Sequence, residues 1–117
     1  MSNKVETGFY GQDIAQKYLV GKGMDLLETN FRSRQGEIDL IMQDGEYTVF
    51  VEVKYRRSLK YGLPREAIGT SKQKKILQAA KYYIYLKASE QDYRFDVVEV
   101  LETGNGIQVN HIENAFW

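Results

Sequence analysis

A chain of 117 residues is enough for one small domain with a single core, and residues 1–117 are read as one unit. It contains no cysteine, which excludes a disulfide framework, a cysteine nucleophile and a thiolate metal site. Basic and acidic side chains balance at sixteen each, so net charge alone says nothing about a polyanionic partner.

In chain order, the first predicted element is a helix from Thr7 to about Leu19, with Thr7 as N-cap and Gly11, Ile14, Ala15, Tyr18 and Leu19 on its inner side. Gly21 and Gly23 end it. Met24 to Arg32 reads as a strand. Two further strand-like runs follow, Gly36 to Ile41 and Phe50 to Lys54, joined through Asp44-Gly45, a hairpin signal. Tyr55 to Leu63 reads as a loop rich in Arg, Lys and Tyr, and Pro64 as the opening of a short helical turn. Thr70 and Gln73 form a capping box for a helix to about Lys87, with Ile76, Ala80, Tyr83 and Leu86 as its apolar stripe. Arg94 to Glu102 and Ile107 to Ile112 are two more strands, joined at Gly104-Asn105-Gly106. The order α-β-β-β-α-β-β predicts an α/β fold with one mixed sheet and helices packed against it. No apolar stretch is long enough to span a bilayer, no signal-peptide pattern opens the chain, and a cytoplasmic protein without a membrane partner is expected.

The hairpin carries the chemistry. With Asp44-Gly45 as a two-residue turn, Glu37 lies opposite Glu52 and Asp39 opposite Phe50. Side chains alternate along a strand, so Glu37, Asp39, Glu52 and Lys54 share one face. The other face, Ile38, Leu40, Met42, Val49, Val51 and Val53, is wholly apolar and is expected in the core. Carboxylates this close repel one another, so that one takes a proton or a cation sits between them. Oxygen ligands suit Mg2+ or Mn2+, and a lysine beside such an ion can hold a phosphate or orient a water: the equipment of metal-assisted phosphodiester hydrolysis. The alternative is a cross-strand ion pair of Lys54 with Glu52 or Glu37 on a solvated sheet face.

The charge distribution points the same way. From Lys54 to Lys87 there are ten basic residues and one acidic residue, Glu66, while the rest of the chain is acidic to the same degree. A basic surface for a polyanion fits this asymmetry; a solvated helix face and a charged loop are the plainer reading. Lys72, Lys74 and Lys75 fall in the first turn of their helix, where the dipole disfavours cations unless a phosphate binds there. Arg32 and Arg34 precede the first carboxylate strand, and Arg56, Arg57 and Lys60 follow the second. Tyr55 and Tyr61 either stack on unpaired bases or cover the core edge. Of Tyr82, Tyr83 and Tyr85 at least one is core. Asp96 either supports the site or pairs with Arg94, and His111, the only histidine, is read as structural. Phe116 and Trp117 are either a packing anchor or part of a dimer contact.

Asp39 followed by Glu52-Val53-Lys54 resembles the Asp…(Asp/Glu)-x-Lys signature of the PD-(D/E)XK nuclease superfamily. More closely, the chain resembles the YraN-like bacterial proteins, an uncharacterised family with the fold of archaeal Holliday-junction resolvases. The resemblance rests on Gly11-Gln12 with Ala15 and Tyr18-Leu19, Asn30-x-Arg32, Gly36 to Ile41, Phe50 to Lys54, Lys74 with Ala80, Arg94 to Val98, and Ala115-Phe116. These stretches run in order over nearly the whole chain. The resemblance implies a restriction-endonuclease-like αβββαβ core and a single PD-(D/E)XK nuclease-like domain. It implies Asp39, Glu52 and Lys54 as catalytic residues, with Asp39, Glu52 and the Val53 carbonyl on Mg2+ or Mn2+. Glu37 and Gln12 would be accessory; the family usually has Glu where this chain has Gln12, a substitution that removes a charge.

Three functions fit these observations. One is a metal-dependent endonuclease acting on DNA, including branched DNA, with Arg32, Arg34, Arg56, Arg57, Lys60, Lys72, Lys74 and Lys75 on the phosphate backbone. The second is a nucleic-acid-binding module of the same fold without cleavage. The third is a protein-interaction domain whose charged hairpin face is an ion-pair network. Resolvase-like relatives act as dimers, which makes a homodimer the expected assembly.

Overall fold

The computed structural model describes residues 4–57 and 69–116, with side chains from residue 10 onward. Within these ranges the chain folds as α1 (Lys4–Gly21), β1 (Asp25–Arg32), β2 (Glu37–Asp44), β3 (Tyr47–Arg56), α2 (Thr70–Lys87), β4 (Asp92–Thr103) and β5 (Gly106–Ile112). The strands form one five-stranded mixed sheet in the order β1-β2-β3-β4-β5. β3 and β4 are parallel and every other pair is antiparallel. A parallel pair cannot be closed by a tight turn, and α2 lies in the crossover between them. The fold is α/β, with an αβββαβ core followed by β5.

The helices cover opposite faces of the sheet. On one face Ala15 and Leu19 of α1 pack with Met24, Leu40, Met42, Val49, Val51, Val98 and Val100. On the other, Ile76, Ala79, Ala80 and Tyr83 of α2 pack with Ile38, Ile41, Phe50, Phe95, Val97 and Phe116. The face that carries the carboxylates is therefore covered by α2 over its central part rather than solvated. Ile38, expected among the α1-side residues, joins the α2-side cluster instead. Tyr83 is the core tyrosine of its helix, edge-on to both Phe31 and Phe50. Phe116 is a packing anchor, 5.4 Å from Phe95; Trp117 lies outside the described residues.

Several boundaries differ from the sequence reading. α1 starts at Lys4, so Thr7 is inside the helix rather than capping it. Tyr18 is exposed, with the Lys22 ammonium 5.5 Å from its ring centre. The cap of α2 is Gly69, without a side-chain bond, and Thr70 is the first helical residue, so no capping box forms. Ala79 is buried where the stripe was expected to include Leu86, which is exposed. Tyr55 and Arg56 belong to β3, not to a loop. Most of that predicted loop, with Lys60 and Tyr61, and the helical turn expected at Pro64 lie outside the described residues.

The hairpin register also differs, for a local reason. Asp44 pairs with Tyr47, so the two loop residues are Gly45-Glu46. Gly45 takes the positive φ (59°) as the first loop residue, the position where a type II′ turn places glycine, instead of the second. The Gln43 side-chain amide donates to the Gly45 carbonyl at 2.8 Å. Phe50 therefore pairs with Ile41, not Asp39. The slip is two residues, so side chains keep their faces where the two strands pair, from Leu40 to Asp44 and from Tyr47 to Val51.

Candidate metal and phosphate site

One end of the sheet gathers the predicted residues. There β1 ends at Arg32, β2 begins at Glu37, and β3 runs from Glu52 to Arg56. The β2–β3 ladder stops at Leu40–Val51, while β1 stays paired to β2 as far as Glu37. The next β3 residue directed at β2 is Val53, whose partner in a continued register is Ile38. Its N–H instead donates to Asp39 Oδ2 at 2.8 Å. The backbone N–H and C=O of a strand residue leave on the same side. The Val53 carbonyl thus also faces the gap where the strands part.

Glu52 projects from β3 on the α2 face beside this gap and is almost fully buried, with 7% of its side chain exposed. Asp39 and Glu52 are close enough to share a proton. Burial raises the Glu52 carboxyl first, and the neighbouring Asp39 charge adds to it. Together they push Glu52 up to about 7, even though Lys72 bonds to it. Burial likewise raises Asp39, against the pull of the Val53 N–H and the Lys72 charge. Such raised carboxyls in a cleft are a recurrent property of functional sites.

The cation that meets this pair is Lys72, on the first turn of α2: its Nζ lies 2.6 Å from Glu52 Oε1. Burial works against the Lys72 ammonium, but its bond to Glu52 and the charges of Glu52, Asp39 and Glu37 together outweigh that and raise its pKa. Gly36 sets the approach of α2. A Cβ there would come within 2.5 Å of the Lys75 carbonyl oxygen, so only glycine lets the helix backbone lie this close to the β1–β2 turn. Ser33 builds that turn, its hydroxyl accepting from the N–H groups of Gln35 and Gly36.

Between these elements opens a cavity of about 520 Å³, lined by Gly36, Glu37, Asp39, Glu52, Gly69, Ser71, Lys72, Lys75 and Ile76. Glu37 at the rim pairs with Arg32, Nε to Oε2 at 3.0 Å, with both side chains largely exposed. Among the described residues α2 has no acidic residue in its first turn and no side-chain cap, and Lys72 and Lys75 both line the cavity, Lys72 held on Glu52.

The remaining predicted residues fall around this centre. Lys54 lies two residues beyond Glu52 on the same face and is half-buried; the ion pair given to Glu52 comes from Lys72. Arg34 and Lys74 are exposed, and Arg56 and Arg57 sit at the end of β3. Tyr55 is held as a core-edge residue, edge-on to Tyr10 at 5.8 Å with its hydroxyl donating to Glu102. Gln12 does not line the cavity. It follows Gly11, which packs on the Tyr55 side chain, on the helix that covers the opposite face.

A second polar cluster lies on the α1 side. Arg94 donates two hydrogen bonds to Asp96, Nε to Oδ1 at 2.9 Å and Nη2 to Oδ2 at 3.0 Å, and Nη2 also donates to Asp44 Oδ2 at 3.0 Å. His111 Nε2 lies 2.7 Å from Asp96 Oδ2, and its Nδ1 lies 2.8 Å from Lys22 Nζ. An ammonium only donates, so Nδ1 accepts and Nε2–H donates to Asp96. Burial opposes the Asp96 charge, but the bonds from His111 and Arg94 outweigh it and hold its pKa below the ordinary value. Asp96 is thus fully partnered, and the network ties β4 to β5 and to the end of α1. Sequence spacing brought Arg94 to Asp96 but gave no sign of His111 or Lys22.

Whether the donors suit a metal ion can be judged from their chemistry. Among the described residues no group of three or more His, Cys, Asp or Glu converges. Two carboxylates from adjacent strands do, with a backbone carbonyl facing the same gap. Magnesium commonly binds one or two carboxylates and completes its shell with water and phosphate oxygens, so Asp39, Glu52 and Val53 fit a hard divalent cation.

The fold and site define an α/β protein with a buried carboxylate pair beside a lysine-rich helix start. The sequence profile described as "Uncharacterised protein family UPF0102" matches residues 11–100. Full-length relatives agree. A UPF0102 protein of Caldicellulosiruptor bescii is 43% identical, covering 97% of this chain and 99% of its own. One of Caldicellulosiruptor saccharolyticus is 45% identical over 97% and 99%, and one of Clostridium novyi 42% over 93% of each. The chain belongs to the UPF0102 family, the YraN-like group of bacterial proteins. Among the described residues, no helix is long and apolar enough to cross a membrane.

Proposed function

We propose that this protein binds nucleic acid, in the first place DNA, and hydrolyses its phosphodiester bonds with a magnesium or manganese ion held by Asp39 and Glu52. The observation that carries the reading is the buried carboxylate pair opening into a cavity whose other wall is the start of α2 with Lys72 and Lys75. A divalent ion there would polarise a phosphoryl oxygen and lower the pKa of a bound water. Asp39 and Glu52 supply its charge and Val53 its carbonyl. Lys54 orients the attacking water or stabilises developing charge. Lys72, Lys75 and the free N–H groups of α2 hold a phosphate, and Arg32, Arg34, Arg56, Arg57, Lys60 and Lys74 extend the contact along the backbone. Glu37, tied to Arg32, is an accessory ligand at the rim. Branched DNA is the substrate class that the resemblance implies, with a homodimer as the matching assembly.

A second reading, binding without cleavage, is favoured by the small number of acidic ligands and by the placement of Gln12 outside the cavity. The two separate on labelled single-strand, duplex, flap and four-way-junction DNAs, incubated with Mg2+ or Mn2+. The first reading predicts metal-dependent cutting abolished by Glu52→Gln and by Lys54→Ala. Binding without cutting supports the second. If wild-type protein neither binds nor cuts at physiological salt, both fail for DNA, and RNA or a protein partner takes their place.

A further inference from the structure

We propose that Lys72 is an internal cation that holds Glu52 in the free protein and passes to a nucleic-acid phosphate when a divalent ion takes the carboxylates. This rests on the reading of Asp39 and Glu52 as a metal site. The Lys72 ammonium lies 2.6 Å from Glu52 Oε1, a short charge-assisted bond to an almost fully buried oxygen. A cation at Asp39 and Glu52 needs that same oxygen or one bonded to the same carbon, so lysine and metal compete for one anion. Like charges cannot share it without cost.

The geometry also provides for release. Lys72 is the partly exposed member of the pair, with 59% of its side chain accessible and a flexible stem. The α2 backbone lies close against Gly36 at Lys75, and rotation of the Lys72 side chain is enough to take the ammonium off Glu52. Around it are Lys75 and the start of α2, which among the described residues has no side-chain cap and no acidic residue in its first turn. Metal binding thus adds a third positive group to a phosphate cradle that is incomplete while Lys72 stays on Glu52. Such coupling is reciprocal: if metal frees Lys72 for phosphate, phosphate must tighten metal by the same factor.

The test is a calorimetric titration of Mn2+ alone into wild-type protein, Lys72→Gln and Lys75→Gln, each checked for native circular dichroism. Lys72→Gln is expected to bind Mn2+ about tenfold tighter, the scale of one lost charge-assisted bond. Lys75→Gln, which removes an equal charge from the same cavity, is expected to change it much less. In a parallel fluorescence titration of labelled duplex DNA, Mn2+ is expected to tighten binding by wild-type protein more than by Lys72→Gln, in which only the direct contact of the ion with phosphate remains. Mn2+ binding that is unchanged or weaker in Lys72→Gln, or equally tightened in both variants, overturns the proposal while leaving the metal site intact. Absence of Mn2+ binding in all three proteins overturns the metal site and the proposal together.

Discussion

At the scale of single residues, the site rests on carboxyls that share too little solvent. Glu52 is raised to about 7 from an ordinary value of 4.5, chiefly by burial and then by Asp39. Between those two values the folded chain keeps a proton that the unfolded chain releases, so stability falls as pH rises through this window. The stabilisation is fully present below about 4.5 and gone above about 7; its size is at most about 3 kcal/mol. Thermal melts in metal-free buffer at pH 5 and pH 8 should therefore show a smaller pH-dependent loss for Glu52→Gln than for wild-type protein. Equal losses in the two would mean that Glu52 does not titrate in the fold. The contact between Lys72 and Glu52 was not legible in the sequence, because it joins two elements through tertiary packing. Lys72 was readable only as one of several lysines at a helix start, and Glu52 only as part of a short motif.

At the scale of elements, what the sequence reveals depends on periodicity. Which side chains share a face of the hairpin follows from the two-residue repeat and is unchanged by a two-position shift where the strands pair, whereas Ile38, beyond the last pair, turns to the α2 side. What sets the register, the positive φ on Gly45 as first rather than second loop residue, is a turn property that an Asp-Gly pair leaves open. The close approach of α2 to Gly36 is another tertiary fact with no sequence signal beyond a glycine before a strand. Gly36→Ala forces a Cβ to 2.5 Å from the Lys75 carbonyl, and the helix must shift. A loss of about 1–3 kcal/mol in urea unfolding is expected, as for other overpacked positions. Wild-type stability for this variant would show that the helix approach is loose. At the other end of α2, Ala88 takes the left-handed conformation as C-cap, with φ 48°. Ala88→Gly should raise stability by about 1 kcal/mol, read as a higher midpoint in the same unfolding experiment.

At the scale of the whole molecule, the two helices divide the sheet into a core face under each. The two polar centres lie at different places: the carboxylate pair under the start of α2, and the Asp96–His111 network on the α1 side. Arg57 bonds to Tyr55 on the α1 side, whereas Lys72 and Lys75 of α2 line the first centre and Arg32, at the end of β1, pairs with Glu37 at its rim. A polyanion lying across them should bind with strong salt dependence. Duplex DNA affinity measured from 50 to 200 mM salt is expected to fall linearly on a log–log plot, with a slope reflecting several phosphate contacts. The slope should become shallower by roughly one unit in Lys74→Gln. A flat salt profile would remove the backbone-phosphate role from these residues.

The proposed function requires the carboxylate pair to be a cation site. Crystals of the protein soaked in Mn2+, with diffraction recorded for its anomalous signal, test this most directly. The prediction is a peak between Asp39 and Glu52, close to the Val53 carbonyl, that is absent from Glu52→Gln crystals. Well-ordered carboxyls without a peak between them, with Lys72 still on Glu52, would contradict it.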